Sequence, residues 1–287
     1  MTAVASIEQA SNKKLRKGED VGVPVRQLGQ DYDQDFPDFW FHNNAFLSMF
    51  FTGFSANLPE GEDQFIYSVR LFQKKITNPV LKAQVRAFIG QEAHHSREHD
   101  ALNNAMKKRG YRLDRAEKRM RKINKLMRRF QSPQKQLAGT VCGEHMTALV
   151  ADYILRKRPE YLDQMAPVLA RMWAWHAIEE TEHKAVAFDV YDQLVGDRKL
   201  LRRTMVEITI MMFGLNTYEA LSLMRKTGEM RNWKMWRESL KMLREMISDV
   251  REDYMDFYKK DFHPWQHDNR EALYAARKKY LGEDSYA

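Results

Sequence analysis

A single cysteine, Cys142, stands in the whole chain of 287 residues. That excludes an internal disulfide framework and any zinc site built from thiolates, and it fits a reducing compartment. Any metal must therefore be held by His, Glu and Asp. Glycine and proline are also scarce, at 13 and 8, which argues against a turn-rich β fold and for long helices. No long apolar run is present either. The most apolar stretch, "VEITIMMFGLNTYEALSLM" (206–224), is interrupted by Glu207, Asn216 and Glu219. It is too polar to span a bilayer and reads as a buried core helix. The first twenty residues lack the apolar centre of a secretory signal, so a cytoplasmic location is expected.

What is abundant is material for one large core: 15 Phe, 12 Tyr, 6 Trp and 17 Met. The pattern predicts a mobile N-terminal arm over 1–35, a helical domain over 36–270, and a charged C-terminal helix or tail over 271–287. Two helical runs are expected early in that domain, broken near Asn57-Leu58-Pro59. Asn78-Pro79 and Ser132-Pro133 are cap-plus-first-turn signals for two more, and Gly110 suits the stop of the first of these. Pro159 opens a further run, kinked at Pro167 and reaching about Leu194. Two or three helices fill 198–258. No segment alternates as a strand would, so the class is all-α.

The acidic and imidazole residues inside these helices repeat. "QEAHH" carries Glu92 and His95, and "EETEH" carries Glu180 and His183. Each pair is Glu-x-x-His, a spacing that puts both side chains on one helix face. Each is preceded by a helix with one glutamate in apolar surroundings: Glu62 lies 30 residues before Glu92, and Glu144 lies 36 before Glu180. Singly, each reads as part of a solvated face. As an ordered set they form the ligand pattern of the ferritin-like di-iron and di-manganese carboxylate bundle: four helices, here with additional N- and C-terminal ones. Two divalent ions would balance four glutamates, and neutral imidazoles complete a site that a low-dielectric core tolerates. Mixed carboxylate and imidazole donors suit iron, with manganese as the alternative. Glu179 and Glu182 compete with Glu180, but Glu180 alone has a histidine three residues on. His94 has Gln91 three residues before it, so His95 is the better ligand.

His176 lies one turn before Glu180 and makes a ladder with Glu180 and His183. It is a seventh candidate ligand, or else a packing histidine beside Trp173 and Trp175. His99, one turn beyond His95, is expected to orient a ligand from behind. Tyr67 and Tyr153 sit on metal-bearing helices, which raises a radical role, although tyrosine in an aromatic core is common.

The ladder at 176–183, with Glu62, Glu92, His95 and Glu144, resembles the seven-ligand set of the arylamine N-oxygenase branch of ferritin-like di-iron enzymes. More closely, "PEGEDQF", "QEAHHSREH", "WHAIEETEHKAVAFDVY" and "FHPW" resemble a bacterial family labelled predicted metal-dependent hydrolases, over about residues 36–270. The resemblance implies two iron ions, O₂ as co-substrate and oxidation of a bound organic molecule. No feature fixes an arylamine pocket, so that substrate does not carry over.

The first functional expectation is therefore a di-iron oxygenase or oxidase acting on a small or acyl-type substrate. The second is a dinuclear-metal hydrolase using a metal-bound water. His99-Asp100 mimics the His-Asp pair of all-α phosphohydrolases, but that reading leaves the four helix glutamates unexplained. The third is non-catalytic iron binding. A protein electron donor and a homodimer are the macromolecular partners such an enzyme admits. The basic segment 107–130 carries an apolar stripe of Leu113, Ala116, Met120, Ile123, Met127 and Phe130. It suits a surface for anionic membrane or an acidic carrier protein, or a crossover helix with a solvated basic face. No recognition motif accompanies the basic residues, so nucleic acid is not expected.

Overall fold

The computed structural model describes residue 18 and residues 21–283. Their regular structure is helical, with one isolated bridge between Phe41 and Met165. The helices are α1 (Ala45–Gln73), α2 (Pro79–Lys108), α3 (Asp114–Phe130), α4 (Pro133–Asp152) and α5 (Glu160–Asp163). There follow α6 (Pro167–His183), α7 (Val186–Leu194), α8 (Arg198–Thr227), α9 (Trp233–Asp256) and α10 (Arg270–Ala276). A π-helical turn at Tyr153–Lys157 extends α4. None of these helices is long and apolar enough to cross a membrane.

The caps follow their local chemistry. Asn78 and Ser132 accept backbone N–H bonds from the first turns of α2 and α4, with Pro79 and Pro133 where the missing N–H costs nothing. Gly110 ends α2 at φ +86°, in the left-handed region open to glycine.

Helices α1, α2, α4 and α6 form the bundle, and its core is split in two. One apolar cluster holds Phe46, Phe54 and Leu58 of α1, Leu102 and Met106 of α2, and Leu169, Met172 and Trp173 of α6. The other holds Val69 and Phe72 of α1, Val85 and Phe88 of α2, and Val186, Val190 and Tyr191 of α7. Along α1, α2 and the α6–α7 run the chain passes from one cluster to the other. In each case the crossing stretch contains the predicted Glu and His positions. The order of clusters makes α2 and α4 run the same way, so their connection must traverse the bundle. That connection is α3, which buries Leu113, Ala116 and Met120 against it, while Phe130 is 70% exposed. Several basic residues of α3 form ion pairs with the bundle: Arg119 with Glu219, Arg121 with Glu60 and Arg128 with Asp63.

Four expectations are corrected. Residues 21–35 are not a mobile arm. Arg26 is bound by Glu179, Glu182 and Glu283. The backbone N–H groups of Gly29 and Gln30 and the Tyr32 hydroxyl all donate to Glu98. The rest of the expected 1–35 arm, residue 18 apart, lies outside the described residues.

The break at Asn57-Leu58-Pro59 is absent, because α1 continues through Pro59. Proline leaves the carbonyl four residues earlier without its helical donor. That carbonyl belongs to Ser55, and the Asn103 side chain donates to it at 3.1 Å. The run from Pro159 is broken rather than kinked. Ala166 N–H bonds Trp40 O at 2.8 Å and His42 N–H bonds Gln164 O at 2.9 Å, which diverts the chain before Pro167 starts α6. Finally, α8 is not buried all round. It buries Met205, Asn216, Glu219 and Ala220, but Ile210 is 69% exposed and Val206 and Phe213 are exposed too.

Asn103 also accepts the Ser55 hydroxyl at 2.9 Å. Replacing it, as in Asn103→Leu, strands the Ser55 carbonyl in a dry interior and is expected to cost about 2 kcal/mol. Urea unfolding compared with the parent chain measures this, and an unchanged midpoint would refute the compensation.

Candidate metal centre

The seven predicted residues converge. Glu62 comes from α1, Glu92 and His95 from α2, Glu144 from α4, and His176, Glu180 and His183 from α6. All seven are buried. Three overlapping groups bring ligand atoms close enough to share an ion: Glu62, His95 and His176; Glu92, Glu144 and His183; Glu92, His95 and Glu180. His183 Nε2 lies 3.2 Å from Glu92 Oε1, 3.2 Å from Glu144 Oε2 and 3.5 Å from Glu180 Oε2. His95 Nδ1 lies 3.8 Å from Glu180 Oε1 and 3.9 Å from Glu92 Oε1. His176 Nε2 is 3.0 Å from Glu180 Oε1. Thr147 donates from its hydroxyl to the other oxygen of Glu180.

These atoms fit a bound cation. Both oxygens of Glu62, Glu92 and Glu144, together with His95 Nδ1 and His183 Nε2, are buried without a hydrogen-bond partner. Such groups cost free energy unless something satisfies them, and a core this well packed does not leave so many by accident. The donors are hard carboxylates and imidazoles, as divalent iron and manganese prefer.

The back of each imidazole determines which nitrogen faces the cluster. His95 Nε2 meets Glu179 Oε2 at 3.1 Å, so it carries the proton and Nδ1 offers its lone pair. His183 Nδ1 donates to Gln91 Oε1 at 2.8 Å, because the Gln91 amide group is already donating to Glu182 at 2.8 Å. His176 is set by a longer relay. The Ser55 hydroxyl is spent on Asn103, so it accepts from His99 Nδ1 at 2.9 Å. The remaining nitrogen of neutral His99 then accepts from His176 Nδ1 at 2.8 Å, which leaves His176 Nε2 unprotonated toward the cluster. Burial holds His99 well below its usual range, assisted by the neighbouring His176, and so keeps it neutral. His99 thus lies behind His176, not among the carboxylates.

Gln91, Arg26, Arg277 and Ser55 are missed by sequence reasoning. Glu182 is held by Arg26 at 2.9 Å and by Arg277 Nε at 2.8 Å, and through Gln91 it reaches His183. Glu179 is held by Arg26 at 3.2 Å and by the Trp175 indole at 3.1 Å. The two glutamates set aside as ligands are therefore the buffers behind His95 and His183. The only local signal was Gln91, adjacent to Glu92. Tyr153 is buried beside Tyr161 and Phe41, among the aromatic residues of that cluster, and Tyr67 stacks under the Arg128 guanidinium.

Burial pushes Glu62 and Glu92 well above the ordinary carboxylate range, and the neighbouring carboxylates reinforce it. Burial also lifts Glu144, to about 7. Glu180 resists burial because the imidazoles of His183 and His176 hold it low. The charges of Glu144 and Glu180 overcome burial at His183 and raise it. The cluster without metal thus holds protons at neutral pH that a cation must displace.

Among known proteins, the family described as predicted metal-dependent hydrolase matches residues 24–268. No curated protein matches, and no solved structure does.

Metal uptake is expected to release protons, and affinity is expected to weaken as pH falls from about 8 to about 6, the range over which the raised Glu144 regains its proton. Calorimetry in buffers of different ionisation enthalpy reads both, and a pH-independent affinity would contradict the placement. Gln91→Leu is expected to lower metal affinity by about tenfold to a hundredfold through His183 alone, measured by chelator competition.

Proposed function

The chain belongs to the predicted metal-dependent hydrolase family, and from that premise we propose a metalloenzyme with two metal ions held by Glu62, Glu92, His95, Glu144, His176, Glu180 and His183. One glutamate from each of α1 and α4, with Glu-x-x-His from each of α2 and α6, is the ligand plan of the di-iron and di-manganese carboxylate bundles. It supports a ferritin-like arrangement with iron as the resident metal and manganese as the alternative. Four carboxylates and two divalent ions sum to zero charge, which suits the dry core between the two apolar clusters.

The reaction that this geometry favours is oxidation of an apolar, acyl-type substrate by O₂. The observation that carries it is His176, a third neutral donor whose lone pair faces the same carboxylates at 3.0 Å from Glu180. Iron ions held by these seven residues would supply reducing equivalents for O₂, and the neutral His176 imidazole would favour their oxidised state. The walls point the same way. The inner cavity next to Thr147 is lined by Phe54, Leu58, Phe65 and Met212, with Asn57 and Asn216 as its amides and no titratable side chain. A hydrolytic centre needs a group that takes and returns a proton on the substrate side, and Glu179 sits behind His95, away from that cavity.

Hydrolysis is the second reading, and the description of the family supports it more directly than it supports oxidation. The two separate cleanly. The protein loaded with Fe(II) without air is expected to consume O₂ in proportion to its iron and to gain near-ultraviolet absorption on oxidation. His176→Gln is expected to retain the metal but to slow O₂ uptake by about a hundredfold, as the loss of one donor to the reacting centre implies. An iron form inert to O₂, beside a zinc form that cleaves an activated long-chain ester, would replace oxidation with hydrolysis.

A further inference from the structure

Three cavities run in series from the surface toward the centre. The outermost is a cleft of about 350 Å³ between α4, α8 and α9. It shares Met146, Val150, Phe213 and Met246 with a second cavity of about 60 Å³. The second shares Phe54, Met212 and Asn216 with a third of about 80 Å³, which reaches Thr147, the residue that holds Glu180. The walls are aliphatic, aromatic and thioether throughout the inner two, and the methionines are side chains that adapt to a flexible guest. Of their polar groups, Asn57 donates to Asn216 at 3.0 Å and Thr147 serves Glu180, while Asn57 Oδ1 is buried without a hydrogen-bond partner.

Charge enters only at the outer end. Arg251 lines the cleft and is exposed, and it makes no ion pair among the described residues. Of the acidic residues near it on α9, Asp249 is engaged by Arg158 at 3.0 Å and Asp253 by Lys157 at 2.5 Å, while Glu252, the next residue in the chain, is exposed. The rim beside it is apolar, with Ile247 52% and Phe213 38% exposed. The surface therefore offers a cation, Arg251, next to an apolar entrance, and the interior offers a narrow apolar route ending at Thr147, whose hydroxyl bonds Glu180.

We propose that this route admits a free, unbranched long-chain carboxylate, alkyl end first, with its carboxylate retained at Arg251 and its distal carbons brought to the dinuclear centre. This rests on the reading of the centre as a dinuclear metal site and adds the substrate class and its polarity. A chain of methylenes fits cavities this small where a ring system does not. Burial of a carboxylate at the inner end would place a further negative charge beside four glutamates, whereas at Arg251 it meets a cation and solvent. The reacting carbon is then remote from the head group.

The test uses the full chain loaded with Mn(II), whose metal content is measured first, and saturated carboxylates of about eight to sixteen carbons below their micelle concentrations. Affinity is expected to rise about fourfold per methylene until the route is filled and then to level off. The terminal methyl signal is expected to broaden more than the signals next to the carboxylate. Arg251→Glu, an exposed change, is expected to weaken carboxylates about fivefold and leave the primary alcohol of equal length unaffected. Failure to bind metal would sink the dinuclear reading. A properly loaded protein whose ligand shows a sharp methyl signal, or whose affinity ignores chain length, overturns the inference alone. Preference for anionic phospholipid vesicles over the monomeric carboxylates would also overturn it.

Discussion

Four glutamates at the centre of one helical bundle are the constraint on which the rest of this structure depends. Unpaired carboxylates in a low-dielectric interior are far too costly for a domain whose whole stability is of the order of ten kcal/mol. The chain meets the cost in two ways at once. Histidine at the third position after Glu92 and Glu180 places an imidazole within the same layer. Burial then drives the remaining carboxylates to keep their protons until a cation replaces them. The split core follows from the same requirement. A polar layer cannot be scattered through apolar packing, so the helices change from one cluster to the other at one level and collect their ionisable groups there.

Around that layer lies a shell that does no ligation yet decides what the ligands can do. Arg26, Arg277, Gln91 and Glu182 form one side of it, Trp175 and Glu179 a second, and Ser55, His99 and Asn103 a third. Each ends on one ring nitrogen of one histidine and frees the other. The third side has an unusual origin. Pro59 removes a helical N–H, the vacated Ser55 carbonyl draws in Asn103, and Asn103 orients the serine that orients His99. A backbone defect in α1 is thereby connected to the protonation of His176. The segment from Pro24 to Tyr32 belongs to the same shell. It closes the bundle over Glu179, Glu182 and Glu98, which is why it is ordered.

Legibility in the sequence divides along these lines. Glu-x-x-His is a local statement about one helix face, and its repetition with partner glutamates picked out residues that the fold brings together, while the absence of strand alternation carried the all-α class. The shell was not readable, because Arg26 is more than 150 positions from Glu179 and nothing local couples them. Pro59 was misjudged for a related reason. The rule that proline breaks a helix assumes an uncompensated carbonyl, and the compensation came from another helix. The apolar stretch of α8 was misjudged because hydropathy counts residues without saying which face they occupy. Met205, Asn216 and Glu219 face inward, while Ile210 faces out.

That last asymmetry bears on the chemistry. The seven residues have a polar side, toward α10 and the strap at 24–32, where Glu179 and Glu182 are paired with Arg26 and Glu98 accepts hydrogen bonds from the strap. They have an apolar side, toward α8, where Thr147 is the boundary and Asn57 and Asn216 are the sole amides of the inner cavity. On the first side His95 hydrogen-bonds Glu179, and His183 is tied through the Gln91 amide to Glu182. The apolar cavity lies on the second. An enzyme that must exchange protons with a leaving group would have acid and guest on the same side. One that draws electrons from its metals can keep them apart, and here Glu179 and Glu182 stand behind His95 and Gln91 while the apolar cavity meets Thr147.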